Sequence, residues 1–250
     1  MPVLNTANKV MVGTQAASAL YLGTTKVWSS AFDPKSIAGL AVWLDAADVG
    51  TITTQWPDKS GLSHHGTIVG SPAPTVQSGT LNGKAVVRFK VNEGRVRGAC
   101  PAITYTYTFI YVVRMIGPAV GRVLTTAYPP PNWLVGFHTS GMDWVYDNNS
   151  ASSVVGYPPL PTPWKLYTYT ADTALQPSSY SDFYSNGVRL GGLTGGGGVN
   201  GLYHLSGYDP AGTQETCDCE VAELLLYDRR LSDVERQQVE GYLRTKWGLV

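Results

Sequence analysis

Four carboxylates crowd one short stretch of this chain: Glu215, Asp218, Glu220 and Glu223. Paired carboxylates are the tools of glycoside cleavage, and a retaining mechanism needs two of them about 5 to 5.5 Å apart across a cleft. Side chains on a strand alternate between its faces. That alternation puts Asp218 and Glu220 on one face and Glu215 and Glu223 on the other, so no catalytic residue is assigned. Gly195 to Gly198 run into Val199-Asn200 rather than Lys-Ser or Lys-Thr, which makes them a loop and not a phosphate cradle. No Gly-x-Ser-x-Gly elbow is present either. The expectation is a chain that is not an enzyme.

Other residues could bind rather than react. Asp45, Asp48 and Asp58 are oxygen donors of the kind Ca2+ takes. The alternative is turn capping, which short acids do routinely. Trp133, His138, Trp144, Tyr146 and Asp147 fall in an aromatic stretch with Gly and Pro around it. Aromatic rings stack on the apolar faces of sugars while Asp bonds hydroxyls, and binding sites favour that mix. The competing reading places both tryptophans in a core. His64 and His65 are adjacent, point oppositely on a strand and read as surface residues.

The three cysteines are Cys100, Cys217 and Cys219. On a strand the last two share a face about 7 Å apart, too far for easy pairing with each other. They read either as buried free thiols or as a cross-link, to Cys100 or to another chain, that leaves an odd thiol.

Composition narrows the partners. Lys plus Arg and Asp plus Glu both number 18, so net charge is zero. A chain that grips phosphate backbones carries an electropositive stripe, and nucleic acid is excluded as an expected partner. No apolar run is long enough to span a bilayer, which takes about 20 residues. Met1 to Asn5 lack the charged and apolar regions of a secretory signal, so synthesis in a cytoplasm is expected.

The elements that must position these residues are short strands. Charged residues are only 14%, against 28 Gly, 16 Pro and 15 Tyr, the profile of strands punctuated by turns. Residues 104–114 and 164–170 alternate aromatic and Thr-rich phases; Tyr105, Tyr107, Phe109 and Tyr111 therefore share one face. Asn82-Gly83 and Asn186-Gly187 mark hairpin turns. Glu220 to Asp228 reads as a strong strand, and residues 191–201 as a Gly-rich loop. At the end, Ser232 and Glu235 form a capping box, and Val239, Leu243 and Trp247 repeat every four residues. One helix is predicted over about 233–247.

Residues 1–30 stand apart. Val10-Met11-Val12-Gly13-Thr14 and Leu20-Tyr21-Leu22-Gly23-Thr24 repeat one pattern ten residues apart, before Val27-Trp28. Two short strands or hairpins are expected, too small to bury an apolar face alone. Val10, Val12, Tyr21, Leu22, Val27 and Trp28 are candidate attachment residues; the alternative is an edge hairpin of the main domain. Residues 31–36 read as a linker and 37–250 as one large domain.

The segment from Val221 through Leu226-Tyr227-Asp228-Arg229-Arg230-Leu231-Ser232 to Lys246-Trp247-Gly248-Leu249 resembles the closing strand and helix of concanavalin A-like lectin/glucanase domains of the LamG type. Leu44-Asp45-Ala46-Ala47-Asp48, Trp56-Pro57-Asp58-Lys59-Ser60-Gly61 and Asn82-Gly83-Lys84-Ala85-Val86-Val87-Arg88-Phe89 resemble its opening, in order, and Thr108 to Arg114 its next core strand. Residues 1–30 resemble short modules of bacteriophage virion proteins. The resemblance implies an all-β, two-sheet antiparallel jelly-roll sandwich with one C-terminal helix and a small N-terminal hairpin module. It implies a homo-oligomeric virion protein of capsid surface, tail or fibre, held to other virion proteins by its N-terminus and binding host or environmental glycans, with Ca2+ on a loop in some members. The alternatives are an adhesin not tied to a virion and a glycoside hydrolase of the same fold. Catalytic relatives carry a spaced acidic triplet on one strand face, which the 215–223 stretch does not match.

Overall fold

The computed structural model describes residues 11–12, 15–16, 19–22, 25–29, 32–100, 106–126, 132–138, 141–147, 150–156, 159–172, 180–193, 201–207 and 215–249. The chain divides into two compact units, Met1–Ile37 and Ala38–Val250.

The first unit holds two antiparallel hairpins. Strands β1 (Met11–Val12) and β2 (Gln15–Ala16) form one; β3 (Ala19–Leu22) and β4 (Thr25–Ser29) form the other. Val12 lies in β1, Tyr21 and Leu22 in β3, and Val27 and Trp28 in β4. Val10 falls outside the described residues.

The second unit contains β5 (Leu40–Asp45), β6 (Gln55–Trp56), β7 (Gly66–Val69), β8 (Thr75–Leu81), β9 (Lys84–Phe89), β10 (Arg95–Ala99), β11 (Tyr107–Met115), β12 (Leu124–Thr126), β13 (Trp133–His138), β14 (Gly141–Asp147), β15 (Ser150–Val155), β16 (Lys165–Asp172), β17 (Tyr180–Ser185), β18 (Val188–Gly191), β19 (Leu202–Leu205), β20 (Cys219–Tyr227) and helix α1 (Asp233–Trp247). One antiparallel sheet runs β18-β17-β16-β11-β20-β9-β8, with β5 sharing a side of β20 with β9. The other runs β15-β14-β13-β12-β19-β10-β7-β6. The chain crosses between them repeatedly, and the result is the expected jelly-roll-like sandwich with one α-helix among the described residues.

The aromatic phase of β11 lies inside. Tyr107, Phe109 and Tyr111 are fully buried, and the Phe109 ring sits 5.1 Å from Trp133 of the opposite sheet, with Tyr169 5.5 Å from that indole. Aromatics bury large areas, so pairing them across the layers fills a wide gap with few residues. Tyr105 falls outside the described residues.

Helix α1 occupies the predicted span. Ser232 Oγ accepts from the Glu235 backbone N–H while the Glu235 carboxylate accepts from the Ser232 N–H at 2.9 Å, closing the capping box. Val239, Leu243 and Trp247 are fully buried against the outer face of the first sheet. The Asn82 amide donates to the carbonyl of Lys246 at 3.0 Å, so a hairpin turn docks the helix C-terminus. Arg229 bonds both oxygens of Glu235, and with the Ser232 donors it holds this carboxyl at about 2, below its ordinary 4.5. A depressed carboxylate contributes stability above its unfolded value and loses it as pH falls through the folded one. Acid titration of helical ellipticity is expected to show a loss between pH 4.5 and about 2 that Glu235→Gln flattens. An unchanged profile would remove this pair from the account of acid stability.

Candidate functional site

The acidic stretch is built differently from its periodicity. Strand β20 pairs Val113 with Val221 but Val112 with Glu223, so Ala222 is an extra residue in a bulge. A bulge of this kind reverses the inside-outside phase beyond it. Cys219 and Val221 point inward before it, Leu224 and Leu226 after it. Glu220 and Glu223 therefore share the outer face, correcting the alternation that put them on opposite faces. Neither is open to a substrate. Glu220 is fully buried and accepts from Arg88 at 2.8 Å and Arg114 at 2.7 Å, with Arg114 stacked on Trp164. Glu223, also fully buried, accepts from Trp43 Nε1, Trp247 Nε1, Tyr242 Oη and Lys246 Nζ between 2.6 and 3.0 Å. Asp218 accepts the backbone N–H groups of Val91 and Ala119.

Asp45, Asp48 and Asp58 sit in turns and ion pairs, as the capping alternative describes. Asp45 is buried, caps a turn through the Ala47 N–H, and bonds Lys59 at 2.7 Å and Lys246 at 2.6 Å. Asp48 pairs with Lys59, which holds its carboxyl below the ordinary range. Asp58 accepts the backbone N–H groups of Trp43, Ser60 and His64. Lys59 bridges Asp45 and Asp48. No group of three metal-ligating side chains converges among the described residues.

Cys217 and Cys219 are buried free thiols, and Cys100 is buried as well. Cys217 precedes the start of β20, so strand spacing does not govern it. Its sulfur lies 3.2 Å from that of Cys219, where a regular strand would hold the two about 7 Å apart.

The aromatic stretch divides. Trp133 is core, fully buried among Tyr107, Phe109 and Tyr169, and so is withdrawn from the binding set. His138, Trp144 and Tyr146 are half-buried. Asp147 lies in β14 opposite Trp133, and its side chain falls outside the described residues. A second bulge sets the spacing of the first two. Gly136 pairs with Trp144 but Phe137 with Met142, so Asp143 is the extra residue, at φ +59°. Asp is among the few residues that tolerate this conformation. Its buried carboxylate accepts from Ser185 at 2.8 Å and Lys165 at 3.2 Å, tying the bulge to the opposite sheet. The bulge brings the Trp144 indole to 5.7 Å from the His138 ring.

Three residues that the sequence reading did not place here complete the cluster. Glu215 Oε2 lies 3.7 Å from His138 Nε2 and accepts from Arg122 Nε. Arg122, itself buried, donates from Nη1 to Asn132 Oδ1 at 2.5 Å. The His138 imidazole and the Arg122 guanidinium hold the Glu215 carboxyl below its ordinary range. Gly121 makes this geometry reachable: a Cβ there would lie 1.9 Å from the Glu215 carbonyl oxygen, which accepts the Arg122 N–H at 2.8 Å. The Trp144 Nε1–H is buried and has no hydrogen-bond partner, a donor left over beside a polar cluster. The arrangement offers a flat ring edge, an imidazole, a carboxylate and an amide, which can hold a polyhydroxylated ligand. Among the described side chains of the site there is no second carboxylate for acid-base chemistry.

No family model matches the chain, and no curated protein does. Solved structures do. Trypanosoma rangeli sialidase in complex with 2,3-difluoro-KDN superposes with TM-score 0.61 at 13% identity, covering 97% of this chain and 37% of that one. The binding domain of botulinum neurotoxin DC in complex with SialylT gives 0.58 at 12%, covering 84% and 52%. The binding domain of Paraclostridial Mosquitocidal Protein 1 gives 0.57 at 12%, covering 83% and 52%. The chain thus spans about a third to a half of the structures it matches, and what it shares with them is the fold of a two-sheet β-sandwich.

Proposed function

We propose that this chain is a non-enzymatic lectin-like module of a virion, on the capsid surface, tail or fibre, that binds host or environmental glycans. The observation that carries the reading is the cluster of Trp144, His138, Glu215 and Asn132 on the sheet without the helix. Ring and hydrogen-bonding groups converge there, whereas the acids that could have served catalysis are locked by arginine, lysine and backbone donors. The sandwich neighbours include a sialidase in complex with sialic acid and a botulinum neurotoxin whose cell entry depends on ganglioside molecules, which supports sugars as the ligand class. The separate N-terminal unit, with its two hairpins, supports attachment to other virion proteins or to copies of itself.

A glycan array probed with the full chain tests the binding arm. Trp144→Ala is expected to weaken binding by tenfold or more, equivalent to about 1.4 kcal/mol, while its thermal midpoint stays near that of the wild type because the ring is only half-buried. Array hits that survive the substitution unchanged would move the site elsewhere. Turnover of any arrayed glycan would replace the binding reading with a hydrolase. Mass spectrometry of purified particles tests the virion arm, and a chain missing from them would end it.

A further inference from the structure

Of the charged and ionisable side chains of this cluster, Glu215 is the most open to solvent. The carboxylate is about a third exposed, at 35%, whereas the Arg122 side chain behind it is at 7%. Arg122 spends its Nε on Glu215 and its Nη1 on Asn132 and Thr125, and its side chain is buried. Among the described residues, Oε2 of Glu215 accepts from Arg122 and lies 3.7 Å from His138 Nε2. Among the described residues no donor reaches Oε1, on a side chain that is about a third exposed. Neither Trp144, Tyr146 nor Asn132 carries charge. Among the described residues of the site, the fixed charge nearest solvent is therefore negative.

An acceptor-only anion suits hydroxyl donors and opposes another anion. A hydroxyl can give its proton to Oε1 in a short, charge-assisted bond. A ligand carboxylate or sulfate brought to the same place meets like charge at partial desolvation, a juxtaposition that interfaces use to reject wrong partners. Resting on the carbohydrate reading, we infer that this site selects neutral glycans and excludes sialylated, uronic and sulfated ones, with Glu215 as the discriminating residue. This ligand class differs from the sialic acid bound by one fold neighbour.

The test is an array in which each neutral glycan is printed beside its sialylated and sulfated counterparts, probed with the full chain and with Glu215→Gln. Gln keeps the length and one acceptor oxygen but removes the charge. The wild type is expected to bind neutral members at least about tenfold better than their acidic partners, and the variant to narrow that gap to within about threefold. Raising salt from about 0.05 to 0.5 M should relax the wild-type exclusion as well, since screening shortens the reach of an exposed charge. The salt arm stands even where the variant folds poorly. Preference of the wild type for acidic glycans overturns the inference and leaves the carbohydrate reading intact. A selectivity that neither salt nor the substitution moves removes Glu215 from the role. Binding to neither class overturns both readings together.

Discussion

Glu223→Ala is expected to cost about 3 to 5 kcal/mol, the range for removing one partner of a buried ion pair. Asp45 and Glu223 stand directly opposite each other on β5 and β20, both buried. Burial and the neighbouring Asp45 push the Glu223 carboxyl up, against the pull of Lys246. Lys246 Nζ sits between the two acids, 2.6 Å from Asp45 and 2.7 Å from Glu223. Lys59 bonds Asp45 from the other side. Two indoles and the Tyr242 hydroxyl complete the shell of Glu223. Truncation leaves these donors buried without their acceptor, and an unsatisfied buried group costs its full desolvation. Lys246 keeps Asp45, so the loss is graded rather than total. A thermal melt should show the midpoint falling by roughly 10 °C. Glu223→Gln should fall between, because the amide keeps one acceptor oxygen but presents an N–H2 where donors already converge. A loss under about 1 kcal/mol for the alanine variant would mean that the helix is held by its apolar face and not by this cluster.

Gly136→Ala should be nearly as damaging and should also abolish the glycan binding proposed above. Gly136 adopts φ +112°, and a Cβ there would lie 2.0 Å from Tyr111 Oη and 3.2 Å from Tyr167. The Tyr111 hydroxyl donates to the Val135 carbonyl at 2.5 Å inside a fully buried core, so it has nowhere to withdraw. Backbone strain of about 1 to 3 kcal/mol adds to a similar overpacking cost. The binding consequence follows from register, since Gly136 is the cross-strand partner of Trp144 at the edge of the bulge. Melting and array binding measured on the same preparation separate the two effects. A variant that melts early but binds normally would detach the bulge from the site.

Much of the scaffold could be read locally. A helix start is written in residues that touch each other within one turn, and Ser232 with Glu235 closes as its spacing requires. Asn82-Gly83 and Asn186-Gly187 turn the chain between β8 and β9 and between β17 and β18 because a two-residue hairpin loop is also a local problem. The aromatic phase of β11 is buried because period-two alternation survives wherever a strand is regular.

The site needed the tertiary structure. Alternation fails at Ala222 and Asp143, where one extra residue in a bulge flips everything beyond it, and nothing in the local pattern marks a bulge. Glu215 was visible as an acid in a crowded stretch, but its partners Arg122 and His138 lie far away in sequence. Asp45 and Asp58 looked like cation ligands because their types and spacing allowed it. Only the tertiary structure brings Lys246 from the far end of the chain beside Asp45. The sequence by itself determined the strands, the turns and the capped helix, since each rests on neighbours along the chain. Which charges meet, and which aromatic faces solvent, was decided only when sheet pairing closed contacts between distant residues.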